Sequence, residues 1–157
     1  MTTAPQDTGN QVAEFKQRFA VMRMIHMALV SGLVMFGAVG LMIMKGRMTF
    51  DFALRNPISV FAGAMALAGL ALAFSLKGMM MKPGDRPADP GVALQKYQVF
   101  VLIRAALVEG GALFSAVAVL VTCNILPACL FVVCAVVLVA FRPTQQEFTD
   151  LFGARRS

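Results

Sequence analysis

Gly110–Phe141, GGALFSAVAVLVTCNILPACLFVVCAVVLVAF, is the stretch on which the architecture turns. It runs for 32 residues without a charge, and one membrane span needs only about 20. Its middle reads Thr122-Cys-Asn-Ile-Leu-Pro127. Asn124 can turn the chain, and Pro127 suits the first turn of a new helix, where its missing N–H is not needed. The stretch is therefore read as two helices joined by a tight hairpin. Working outward, Met24–Met44 and Pro57–Leu76 contain no Lys, Arg, Asp or Glu, and Tyr97–Thr122 contains only Arg104 and Glu109. The pattern predicts an all-α bundle of four transmembrane helices, arranged as two tandem hairpins.

Composition agrees. Of 157 residues, 59% are hydrophobic and 14% are charged, with a mean hydropathy of +0.75. A soluble domain is nearer half apolar and a quarter charged, so lipid is the expected solvent for much of the chain. Trp is absent and Tyr97 is the single Tyr, which leaves the interfacial aromatic belt mainly to Phe. The net charge of +6 is read as loops facing anionic lipid rather than as a nucleic-acid surface. No phosphate loop, zinc spacing or Ser/His/Asp set is present. No cofactor or metal is implied, and the Met residues serve as apolar filler.

Lys and Arg set the orientation. With the N-terminus inside, Lys16, Arg18, Arg23, Lys77, Lys82, Arg86, Lys96, Arg142, Arg155 and Arg156 are inside, against Lys45, Arg47 and Arg55 outside. This predicts a multi-pass protein of a bacterial inner membrane with both termini cytoplasmic. The leader is too long and too mixed in charge for a cleaved signal, so the first helix is expected to be retained.

The chain divides into an amphipathic segment 1–19, a hairpin 20–79, a Pro- and Gly-rich linker 80–95, a second hairpin 96–141 and a tail 142–157. Val12, Phe15 and Phe19 recur beside Lys16 and Arg18, the pattern of a short helix lying on the membrane surface. Thr144 and Glu147 fit a capping box, followed by an apolar face of Phe148, Leu151 and Phe152.

The two halves share a phrase. Offset by 78, Ile25, Ala28, Leu29, Val30, Gly32, Phe36, Ala38 and Val39 match Ile103, Ala106, Leu107, Val108, Gly110, Phe114, Ala116 and Val117. This reads as a parallel internal repeat, with the first and third helices at the centre. Ala28/Gly32 and Ala106/Gly110 are small-xxx-small pairs that let helix backbones approach. In the same register Glu109 matches Ser31 and Arg104 matches His26, so these four can face a common interior.

Glu109 is the sole acid inside a predicted span. It lies about 20 Å along the helix from Lys96, near mid-membrane. An ionised group there costs several kcal/mol unless paired, hydrated or neutral. It reads either as an ion- or proton-binding carboxyl or as a polar clamp fixing helix packing. Arg104 is about 140° away around the helix and is expected to snorkel to the head groups. That leaves Ser31, His26 or another subunit as partners for Glu109. His26 alone cannot form a bis-His haem site. Cys123, Cys129 and Cys134 lack the close dithiol of membrane thiol oxidoreductases.

Arg104, Leu107, Glu109, Gly110 and the later Arg142-Pro143-Thr144 resemble an uncharacterised family of small four-helix bacterial membrane proteins. The resemblance covers roughly the last 60 residues and implies no activity. "LVEGGALFSAVAVL" is more weakly similar to the proteolipid subunits of rotary ATPases, where a mid-helix carboxylate binds the ion; that would make Glu109 the ion site. The chain departs from that pattern in the helix that carries the acid, in its glycine run and in its orientation. The leading expectation is a non-catalytic accessory subunit, joined in the bilayer to copies of itself or to other membrane proteins. The alternative is an ion- or proton-translocating subunit built on Glu109, and the third is a thiol- or quinone-linked redox protein.

Overall fold

The computed structural model describes residues 6–47, 56–80 and 89–152. Arg55 of the first loop, Lys82 and Arg86 of the linker, Arg155 and Arg156 of the tail, and the Val12 side chain lie outside the described residues. Within them the chain is all helix: α1 (Gln6–Ile43), α2 (Pro57–Met80), α3 (Pro90–Thr122), α4 (Ile125–Ala140) and α5 (Gln145–Phe152).

The helix ends follow local chemistry. The Asn56 side chain accepts from the Ile58 N–H at 3.0 Å, with Pro57 opening α2. Asp89 caps α3 in the same way, accepting from Gly91 N–H at 2.8 Å, with Pro90 in the first turn. α3 therefore begins seven residues before Tyr97, inside the segment read as linker; Asp-Pro was the overlooked start signal. The expected hairpin at Cys123–Asn124 is present. Cys123 adopts a left-handed conformation at φ 51°, and the Asn124 side chain accepts from Leu126 N–H at 2.9 Å. Pro143 interrupts the chain after α4, since it lacks an N–H and disfavours helix at Arg142. α5 then departs at 71°.

Three helices, α1, α2 and α3, are long and apolar enough to cross a membrane; α4 and α5 pass the same test only when the bent pair is counted together, giving three to four spans. The chain is an integral membrane protein. α1 is one continuous helix of 38 residues. The N-terminal amphipathic segment is its first turns and not a separate surface helix, because no proline interrupts Gln6–Met24.

The packing differs from two paired hairpins. α3 and α4 lie against each other at the centre, and both also touch α1 and α2. The backbones of α1 and α2 do not approach one another among the described residues. Side-chain size accounts for this. α2 turns a flat face of Ala62, Ala66, Gly69 and Ala73 inward, and α3 presses directly on it. A Cβ on Gly69 would stand 2.6 Å from the Leu107 carbonyl oxygen, and one on Gly111 would stand 3.0 Å from Ala66 Cα. α1 instead carries large buried residues, Phe19, Met22 and Leu33, with Met44 just past its end, and these pack against α3 and α4. The close approach of helices thus uses Gly69, Ala66 and Gly111. Ala28, Gly32, Ala106 and Gly110 are exposed, and a Cβ on Gly32 or Gly110 would meet nothing within 4 Å.

Candidate functional site

Two polar centres sit on α3. The first gathers at the end of the bundle where α1 begins and α5 lies. Arg104, 7% exposed, projects to α5 and grips Glu147 with both arms. Nη1 donates to Oε1 at 2.8 Å and Nη2 to Oε2 at 3.3 Å, while Nη2 also reaches the Phe141 carbonyl at 3.2 Å. The guanidinium lies 4.8 Å from the Phe100 ring centroid and 4.4 Å from that of Phe141, an arrangement that suits a planar cation. Tyr97, one of the largest fully buried side chains, donates to Glu147 Oε2 at 2.9 Å.

A ring of aromatic groups seals this centre. Phe19 stacks on Tyr97 at 5.9 Å between centroids, and Phe148 meets Tyr97 edge-on at 5.5 Å and Phe15 at 5.3 Å. Phe15 and Phe19 of the apolar face of α1 are therefore packed against protein rings. The capping box is half formed. Glu147 N–H donates to Thr144 Oγ1 at 3.2 Å, but the Glu147 carboxylate leaves its cap for Arg104.

Arg104 thus does not snorkel, as expected, to the head groups; an internal carboxylate 43 residues away satisfies it. Glu147 and Tyr97 are the site residues that sequence reasoning missed. The available signal was a buried-helix arginine whose own helix offers only Glu109, about 140° away around the axis, with the acids Glu147 and Asp150 beyond the next span.

The second centre is Glu109. From Arg104 to the turn at Thr122 α3 rises about 27 Å, and α4 returns the chain over a similar length to Phe141. Arg104 therefore stands close to one edge of a hydrocarbon core of about 30 Å. Glu109 is about 7.5 Å deeper, nearer that edge than expected. It is half-buried, beside exposed Ala106 and Gly110. Its carboxylate has no hydrogen bond or ion pair among the described residues.

Of the four residues expected to share an interior, Arg104 and His26 are both buried and close enough to interact electrostatically, and the other two lie apart. Arg104 belongs to the first centre, Ser31 is exposed on α1, and Glu109 bonds to neither Ser31 nor His26. His26 is 4% exposed, and neither ring nitrogen has a hydrogen-bond partner among the described residues. Cys134 is buried in the core, Cys129 is exposed, and no disulfide joins the three cysteines. No group of three or more metal-ligand side chains occurs among the described residues. No known family model, curated protein or solved structure matches the chain significantly.

Proposed function

We propose that the chain is a non-catalytic accessory subunit of a bacterial inner-membrane assembly, docked through the face of α3 that carries Glu109. The observation that carries this reading is an acid inside a membrane span that has no partner among the described residues. It lies beside Ala106 and the open surface of Gly110. A carboxyl facing lipid costs several kcal/mol, and such groups face protein or water instead. The small residues beside it allow a partner helix to approach closely and complete its hydrogen bonds. The partner is another membrane protein or a second copy of the chain. The ten-to-three excess of Lys and Arg supports cytoplasmic termini.

Gentle extraction of the native membrane, followed by mass measurement of the intact complex, tests this. The reading expects a defined complex heavier than the 16.8 kDa chain. Glu109→Gln, which keeps a hydrogen-bonding group, preserves that complex, and Glu109→Leu dissolves it. A wild-type chain that emerges alone contradicts the reading.

The unpartnered carboxyl also motivates a second reading, an ion- or proton-binding subunit of the kind the proteolipid resemblance suggests. It expects a ring of identical copies that survives Glu109→Gln with ion flux abolished. A mixed complex whose activity is unchanged by Glu109→Gln rules it out.

A further inference from the structure

A cleft of about 620 Å³ opens between α1 and the junction of α4 with α5, beside the first polar centre. The volume falls within the range of small-molecule sites, about 300–1,000 Å³. Three cations line it, Lys16 and Arg23 from α1 and Arg142 from the junction, and no acid does among the described residues. All three are exposed and none has an ion pair among the described residues. His26 forms part of the wall. It is 96% withdrawn from solvent, with both ring nitrogens unbonded. Both nitrogens are closed to solvent, so His26 adds bulk to the wall and no hydrogen-bond donor to the cleft. Gln145, the first residue of α5, also borders it, and the free N–H groups of a helix start favour an anion.

The neighbouring charges are already committed. Glu147, the acid nearest this end of α5, is held by Arg104 and Tyr97. It does not neutralise the cleft. The wall continues into the exposed apolar Met27, so charge at the mouth gives way to apolar surface along α1. The cleft lies at the level of Arg104, where the chain meets the membrane boundary.

We propose that this cleft binds a phosphoryl-type anion carried on an amphiphile, an anionic phospholipid head group. Arg23, Arg142 and Lys16 neutralise the phosphate. The site is independent of the Glu109 face. It would secure the orientation of the chain by fixing α1 to the α4–α5 junction on the leaflet richer in that lipid.

The test is native mass spectrometry of the purified full-length chain in mild detergent, titrated with phosphatidylglycerol, phosphatidylcholine or inorganic phosphate. Phosphatidylglycerol is expected to bind at least about ten-fold more tightly than phosphatidylcholine, and Arg23→Gln and Arg142→Gln each to weaken it about five-fold. Both side chains are exposed and outside the core clusters, so the fold is retained. Lys45→Gln, at the opposite end of α1, leaves binding unchanged. If inorganic phosphate binds with the same dependence on Arg23 and Arg142 and displaces the lipid, the phosphoryl site stands and its source is a free anion. Equal binding of the two lipids, or variants indistinguishable from wild type, overturns the proposal.

Discussion

Arg104 and Glu109 stand five residues apart on α3, and the chain treats them in opposite ways. Arg104 is enclosed. Glu147 takes both arms of its fork, the Phe141 carbonyl takes a further bond, and two aromatic rings lie against the guanidinium. Glu109 is deeper in the span and has none of this. Among the described residues no side chain or backbone group bonds to it, and its neighbours on the outward face are Ala106 and Gly110. A single fold thus encloses one charge, leaving only the Arg104 Nε without a bond among the described residues, and leaves the next one to its surroundings. The lesson concerns where each charge was built to be satisfied. Arg104 fixes the fold, whereas the proposed role of Glu109 calls for completion from outside the chain.

The contrast is broken most severely at the closed end. Replacing Arg104 with Met strands a partly buried Glu147, and the loss expected on unfolding in mixed micelles is about 3–5 kcal/mol. Arg104→Met with Glu147→Met together should recover much of it, since a buried pair replaced by apolar groups of similar size is often neutral. A double variant as damaged as the single one would deny that the pair acts as a unit. Gly69→Ala comes next. Its new Cβ would meet the Leu107 carbonyl oxygen at 2.6 Å, and overpacking of this kind costs about 1–3 kcal/mol. Gly110→Ala sharpens the comparison, because its Cβ meets nothing. It should leave the isolated chain as stable as wild type while weakening any assembly. Tyr97→Phe removes the bond to Glu147 Oε2 and should cost about 1 kcal/mol, read in the same unfolding assay. Glu109→Gln is expected to change the stability of the isolated chain least, within about 0.5 kcal/mol.

Much of the fold was legible because lipid imposes simple rules. Runs without charge marked the spans, and Asn124 with Pro127 marked the last hairpin. Thr144 did cap α5. Pairing between helices was less legible. All four apolar segments are rich in small residues, and spacing alone does not distinguish Gly111, pressed on Ala66, from its neighbour Gly110, which faces open space. The register that aligned Ser31 with Glu109 and His26 with Arg104 compared positions along two helices. It did not determine which way either helix was rotated. The Arg104–Glu147 pair was hidden for another reason. Glu147 had a sufficient local explanation in the capping box, and its true partner lies on another helix 43 residues earlier. A residue with one good local role gives no sequence signal of a second, distant one.

The central claim is that the Glu109 face of α3 is covered by protein in the native membrane. Its most direct test is a photo-crosslinking amino acid placed at Gly110, with Val136 on the exposed side of α4 as the reference position. After irradiation of intact membranes, the account predicts a discrete protein–protein adduct from position 110 and mainly lipid adducts from position 136. Lipid adducts alone from position 110, matching those from 136, would contradict it.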